Sequence, residues 1–266
     1  MGPGRPVDSA NIALIIDALR GGKESFEDHK EVAIKIREQV PGVRRMIAWS
    51  DRLASGTAER AVAGGIGNVI FGGAGIPAGG APPHRAAAAT SATARFAYPS
   101  GSEIVLCLRQ LALEGDPRAV AFRASVLDPY QVTRRARAAG MAGPLQVQWG
   151  LASWLLSAGR GAVLAAWYAE VLPPGSQLVM LSAEHAAGVG ALAGCEMHGH
   201  PPEVLAQWAE TAGLDVVLEI PDARAWGRGD WPGKEFSRDW AAGQVSGLVA
   251  AVRPLSGRAG GRCAVR

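Results

Sequence analysis

Short apolar runs alternate with amphipathic stretches along most of the chain. The runs are four to seven residues long and are bounded by glycine, proline, serine or aspartate, which is typical of buried strands. The stretches between them have apolar residues at helical spacing. The predicted strands cover 66–71, 95–98, 119–124, 145–151, 178–182 and 216–220. Regular alternation of strands with helices predicts an α/β fold with a parallel, doubly wound sheet.

Three amphipathic helices are predicted before the first strand, at about 9–19, 27–39 and 43–63. Gly21-Gly22 and Pro41-Gly42 separate them. We expect this preface to pack as a helical lid beside the sheet. The predicted division is therefore a lid over residues 1–64, a core over 65–252 and a disordered Gly/Arg/Ser-rich tail over 253–266.

The first predicted strand runs directly into the glycine-rich turn Gly72-Gly73-Ala74-Gly75. In α/β proteins such a turn at the carboxyl end of the first strand is where a nucleotide-like ligand binds. We therefore expect Gly73 and Gly75 to contact a cofactor. The turn lacks the Lys-Ser/Thr pair of a P-loop and the spacing of a dinucleotide fingerprint.

Composition narrows the classes of function. The 266 residues are 48% apolar and carry a formal net charge of +3. Arginines are spread along the chain and not clustered with aromatics, so nucleic acid is not expected as a partner. No apolar run is long enough for a membrane span and the first residues lack a secretion signal, so no membrane is expected. Three scattered cysteines fit the cytoplasm, and a homodimer is an open expectation.

Several short motifs occur in an order that matches a known family. They are Asp17, Gly21-Gly22-Lys23, Phe26, Gly65-Ile66, Gly73-Ala74-Gly75-Ile76-Pro77, Ala94-Arg95, Tyr98, Val105-Leu106, Asp128-Pro129, Pro174-Gly175-Ser176 and Arg224-Ala225-Trp226. Over roughly residues 11–230 the chain resembles the actinobacterial class I S-adenosyl methyltransferase family that was once catalogued as a domain of unknown function. The resemblance implies a Rossmann-like methyltransferase fold and S-adenosylmethionine as cofactor.

The chain departs from that family where the cofactor is normally held. The resemblance implies acids before the glycine turn, at the end of the second strand and after the third. Phe71, Ser100 and Ser125 stand at these positions, and Ser100 and Ser125 remain the candidate cofactor contacts. Each lost hydrogen bond to a charged group would cost about 1.5–3 kcal/mol. We therefore expect S-adenosylmethionine to bind weakly or not at all.

Aromatic residues suggest a different use of the fold. We expect Phe71, Trp149, Trp154 and Trp226 to line an apolar substrate pocket at the carboxyl ends of the strands. Tryptophan faces stabilise cations, which favours cyclisation or isomerisation of an apolar natural product without the methyl donor. Two alternatives stay open, a methyltransferase with a divergent cofactor site and a non-catalytic binding relic. Packing of Trp149 and Trp154 in the core is an equally good interpretation.

Candidates for proton transfer or orientation are, in order of preference, Gln148, Glu103 and His185. Gln148 lies on the fourth predicted strand beside Trp149, and Gln146 and Gln148 are polar residues on a buried strand, which is costly unless they meet a ligand or each other. Cys195, His198 and His200 have ligand-type side chains, but no second cluster completes a zinc site, so no metal is expected.

Overall fold

The computed structural model describes residues 9–77, 82–183, 186–220 and 245–253. The strands are β1 (Asn68–Phe71), β2 (Arg95–Ser100), β3 (Ala119–Arg123), β4 (Leu145–Gln148), β5 (Gln177–Ala183), β6 (Asp215–Ile220) and β7 (Val245–Ala251). The helices are α1 (Ser9–Arg20), α2 (Glu27–Gln39), α3 (Val43–Ala63), α4 (His84–Thr90), α5 (Glu103–Ala112), α6 (Pro129–Ala138), α7 (Ala158–Val171), α8 (Ala186–Ala193) and α9 (Pro202–Thr211). A 3₁₀ helix spans Gly150–Leu155.

The strands form one sheet in the order β3-β2-β1-β4-β5-β7-β6. Strands β1 to β5 pair in parallel, whereas β7 lies antiparallel between β5 and β6. The α/β, doubly wound prediction is confirmed, but the sheet is mixed and not parallel throughout. The pattern of the chain did not predict α8 or β7. Pairing of β7 with two distant strands is a tertiary property, so no local periodicity marks it.

Local signals explain several boundaries. The Asp128 carboxylate accepts a hydrogen bond from the Gln131 N–H at 3.0 Å, and Pro129 occupies the first turn of α6. Ser102 caps α5 in the same way through the Val105 N–H at 3.4 Å. Side-chain caps of this kind typically contribute about 1 kcal/mol each. They fix where α5 and α6 begin, just beyond the carboxyl ends of β2 and β3.

Helices α1–α3 pack against one face of the sheet. Helix α3 contacts β1, β4, β5 and β7, and α1 contacts α2, α3 and α5. Their apolar faces form one buried cluster with β5, α8 and the 3₁₀ helix. A second cluster lies under α6, α7 and α9 on the other face of the sheet. A space remains between the lid and the sheet at the edge where β1, β2 and β3 end. This edge carries the candidate site.

Candidate functional site

A cavity of about 160 Å³ lies at the carboxyl ends of β1, β2 and β3. We call it the central cavity. Its floor is the glycine turn with the ends of the strands, and its roof is α1 together with the 3₁₀ helix. Its lining residues used below are Ile12, Phe71, Gly73, Gly75, Tyr98, Ser100, Arg109, Ser125, Val126, Leu127, Ala152 and Leu155.

The glycine turn is shaped by close packing against the chain itself. Gly73 has φ +69°, and a Cβ there would lie 2.6 Å from both the Trp149 carbonyl oxygen and the Ala152 nitrogen. Only glycine fits this left-handed, crowded position without strain. The 3₁₀ helix is thereby held against the turn, and it closes one side of the central cavity.

Two arginines bind the carbonyl groups at the end of the glycine turn. Arg109 donates from Nη2 to the Gly75 carbonyl at 2.5 Å and to the Ala74 carbonyl at 3.4 Å. Arg20 donates from Nη1 to the same Ala74 carbonyl at 3.4 Å and forms a two-pronged ion pair with Asp51. The turn is therefore held by cations on side chains from α1 and α5.

The polar side chains of the central cavity are hydroxyls and the guanidinium of Arg109. Ser100 Oγ accepts a hydrogen bond from the Ser102 N–H at 3.2 Å, and Ser125 Oγ accepts one from the Leu127 N–H at 3.2 Å. Gly73, Gly75, Ser100 and Ser125, the predicted cofactor contacts, thus all line one cavity. The described lining residues include no carboxylate, and Arg109 is the charged group among them.

A buried polar chain runs behind the cavity wall. The Tyr98 hydroxyl lies 2.7 Å from His84 Nδ1, and His84 Nε2 lies 3.0 Å from Asp116 Oδ2. Because a carboxylate only accepts, Nε2 carries the proton and neutral Nδ1 accepts from the Tyr98 hydroxyl. Burial lowers the pKa of His84 and raises that of Tyr98. The ring of Tyr98 lies under Arg109, whose Cζ is 4.5 Å from its centroid.

Gln148 is a structural residue in this arrangement and does not line the central cavity. Its Nε2 contacts the Ala54 carbonyl at 2.9 Å and Thr57 Oγ1 at 3.1 Å, and it donates to Gln146 Oε1 at 2.9 Å. Gln146 in turn donates to the Thr57 carbonyl at 3.1 Å. The two buried glutamines therefore meet each other and α3, and these contacts offset part of the cost of burying polar side chains on β4.

The other predicted proton-transfer groups lie elsewhere. Glu103 is largely exposed in the first turn of α5, pairs with Arg123 at 2.8 Å and is absent from the cavity lining. Its negative charge at the N-terminus of α5 interacts favourably with the helix dipole. His185 and Trp226 lie outside the described residues.

The predicted aromatic pocket is not formed by the three described aromatic residues assigned to it. Phe71 lines the central cavity and stacks on Tyr98 with centroids 5.1 Å apart. Trp149 packs in the cluster under α7 and α9, 6.2 Å from the Trp208 ring centroid. Trp154 packs in the cluster of α1–α3. Trp149 directly follows β4 and Trp154 lies in the 3₁₀ helix, and the two rings enter different cores.

A second cleft, the His198 cleft, adjoins the central cavity through Ile12 and Leu155 and measures about 320 Å³. Its polar lining residues are Ser157, Arg160, Cys195, Glu196 and His198. The His198 side chain is 25% exposed, and its Nε2 lies 3.4 Å from Glu196 Oε1. From the sequence, His198 was expected at most as a metal ligand. The signal that could have placed it is its position after β5, at the same sheet edge as the glycine turn.

Neither a metal centre nor a membrane span is found in the part of the chain that the structure describes. There, His, Cys, Asp and Glu side chains do not gather into a group of three that could hold a metal ion. His200 instead contacts the Leu156 carbonyl through Nε2 at 2.7 Å. The described helices are too short or too polar to cross a membrane.

Comparison with known proteins agrees with the observed fold. A family model described as S-adenosyl methyltransferase matches residues 5–190, more than half of the chain. A crystal structure of a candidate methyltransferase from Thermobifida fusca YX superposes with a TM-score of 0.76 and 22% identity, covering 91% of this chain and 95% of that one. A protein of the DUF574 family from Streptomyces avermitilis gives a TM-score of 0.73, 23% identity and coverage of 91% and 97%. No curated protein matches the sequence.

Proposed function

The chain belongs to the S-adenosyl methyltransferase family, and from this premise we propose that it transfers a methyl group from S-adenosylmethionine to a small molecule. The observation that carries the proposal is the central cavity. It lies where parallel strands of such a sheet bind ligands, against a glycine turn and under a helical lid. The predicted homodimer and cytoplasmic location remain predictions.

The residues of the central cavity fit the adenosyl half of the cofactor. Val126 and Leu127 offer apolar walls for a base, and the hydroxyls of Ser100 and Ser125 offer hydrogen bonds. Hydrogen bonds between neutral groups contribute about 0.5–1.5 kcal/mol, against about 1.5–3 kcal/mol for those to a carboxylate. This difference supports weak cofactor binding. When bound, the cofactor would supply an electrophilic methyl group next to its sulfonium.

His198 is the group we assign to the acceptor side. A neutral imidazole can take the proton of an acceptor hydroxyl or amine at neutral pH. Glu196, 3.4 Å from Nε2, would orient the ring and stabilise the imidazolium. The shared walls at Ile12 and Leu155 would contact the apolar part of an acceptor that reaches from the His198 cleft into the central cavity.

Cyclisation or isomerisation without the methyl donor loses its main support. That interpretation needed several tryptophan faces around one substrate. Trp149 and Trp154 are fully buried in two different cores, so they offer no surface to a substrate. Family membership and the position of the central cavity favour the methyltransferase alternative.

Calorimetric titration of S-adenosylhomocysteine into the protein tests the proposed function. We expect saturable binding that Ser125→Trp abolishes, because the new ring would fill the mouth of the central cavity. Ser91→Trp is the matched control, since Ser91 precedes β2 at the opposite edge of the sheet. His198→Gln should keep this binding and lose methyl transfer. Absence of binding by the unmodified protein would support the non-catalytic alternative. Undiminished binding by Ser125→Trp would contradict the placement of the cofactor in the central cavity.

A further inference from the structure

A third cleft lies on the other side of the glycine turn from the His198 cleft. We call it the arginine cleft; it measures about 490 Å³ and shares Ala74 and Arg109 with the central cavity. Its charged lining residues are Arg20, Arg44, Arg45, Asp51 and Arg109. Four guanidinium groups therefore face one carboxylate across a space large enough for the end of a small molecule.

The Asp51 carboxylate is already paired with Arg20. Asp51 accepts from Arg20 Nε at 2.9 Å and from Arg20 Nη2 at 2.5 Å, which is the bidentate geometry of a strong ion pair. Arg44 and Arg45 are exposed on the first turn of α3. The whole chain carries a formal net charge of only +3, so the positive charge of this cleft is a local concentration.

Arg109 is the residue that points most directly to a ligand. It is 3% exposed and lies where the arginine cleft meets the central cavity. Its described partners are the carbonyls of Ala74 and Gly75 and the ring of Tyr98, and none of the ion pairs between described residues includes it. A buried charge without a counter-charge is costly. Burial lowers its pKa to about 10, which still leaves it charged at neutral pH.

We propose that the arginine cleft binds the carboxylate or phosphate group of a small molecule, with Arg109 at its inner end and Arg44 and Arg45 at its rim. Guanidinium groups form charge-assisted, often bidentate hydrogen bonds to such anions. A bound anion would supply the counter-charge that Arg109 lacks. The anion can belong to the amino-acid end of the cofactor or to an acidic acceptor. The site itself depends on neither, because charge alone would hold the anion.

Titration with inorganic phosphate, at ionic strength held constant with chloride, tests the site on the full chain. We expect a saturable rise in melting temperature. Arg45→Glu should weaken phosphate binding about tenfold or more, as loss of a charge-assisted contact predicts. Arg134→Glu on the exposed face of α6 changes the net charge equally and should leave binding unchanged. Arg109→Met should abolish binding, with circular dichroism reporting whether it folds; Arg45→Glu decides the matter if it does not.

Two results would overturn the site. One is the absence of a saturable phosphate effect in the unmodified protein. The other is equal weakening by Arg45→Glu and Arg134→Glu, which would reveal a general charge effect.

A nucleoside comparison identifies the source of the anion. If the cofactor supplies the anion, Arg45→Glu should weaken the binding of S-adenosylhomocysteine. The binding of 5′-methylthioadenosine, which lacks the carboxylate, should stay unchanged. If an acidic acceptor supplies it, both nucleosides should keep their affinity while phosphate binding falls. Phosphate binding without binding of either nucleoside would support the anion site and contradict the proposed cofactor site.

Discussion

The indole ring of Trp154 shows how burial decides a residue's role. Its exposure is 0%, and it packs with apolar residues of α1–α3 and β5. Truncating a fully buried tryptophan removes its contacts and leaves a cavity, at a cost of about 3–5 kcal/mol. We therefore expect Trp154→Ala to lower the free energy of unfolding by this amount in urea titration. A loss below about 1 kcal/mol would contradict the packing and restore a place for the ring at the substrate.

His84 gives the stability of the protein a predictable pH dependence. Burial lowers its pKa in the folded state, so the unfolded chain binds the proton more readily. The contribution of neutral His84 to the stability of the fold is therefore complete above the pKa of histidine in the unfolded chain, about 6.5. This contribution is lost as the pH falls below that value. The charged groups around the ring are Asp116, Arg109 and Arg118. The neutral ring accepts a hydrogen bond from the Tyr98 hydroxyl and donates one to Asp116. Protonation of the ring removes the acceptor of the first hydrogen bond.

The measurement is the free energy of unfolding between pH 5 and about pH 7.5. The unmodified protein should lose stability toward pH 5 more steeply than His84→Gln. The difference between the two curves isolates His84 from the other histidines. Parallel curves would show that His84 does not titrate differently in the folded state.

At the scale of elements, α7 packs on α9 through a glycine. A Cβ at Gly161 would overlap the indole ring of Trp208, whereas a Cβ at Gly159, two residues earlier on α7, would meet no atom within 4 Å. Gly161→Ala should therefore destabilise the protein by about 1–3 kcal/mol through overpacking. Gly159→Ala should be neutral or stabilising by up to about 1 kcal/mol, as helix propensity predicts. Equal effects of the two variants in thermal unfolding would contradict the close approach of α7 and α9.

Elements were predictable where their signals are local. The spacing of apolar residues predicted α2 and α3 with the observed bounds, and the Asp128-Pro129 pair predicted the start of α6. Strand β7 was missed because its pairing with β5 and β6 is visible only in three dimensions. Ser100 and Ser125 were expected at the cofactor through the family resemblance, and both line the central cavity. The hydrogen bonds of Gln148 to α3 were not predicted, because they depend on packing of the lid.

At the scale of the whole molecule, the central cavity shares lining residues with both the arginine cleft and the His198 cleft. The arginine cleft meets the central cavity at Arg109 and Ala74, and the central cavity meets the His198 cleft at Ile12 and Leu155. The central cavity alone, at about 160 Å³, is below the usual volume of a small-molecule site, about 300–1,000 Å³. A cofactor and an acceptor would therefore have to extend into the flanking clefts, one toward cationic groups and one toward a base.

We propose that the central cavity holds the adenosyl group, with Ser100 at the end of β2 where the family resemblance implies an acid. The decisive measurement is calorimetric titration of S-adenosylhomocysteine into the unmodified protein and into Ser100→Asp, which introduces a carboxylate at this position. A carboxylate there should lower the dissociation constant about tenfold, as the step from a neutral to a charged hydrogen bond predicts. Ser91→Asp, with the same change of charge at the opposite edge of the sheet, should have no effect. Unchanged or weaker binding by Ser100→Asp would contradict the placement of the cofactor in this cavity.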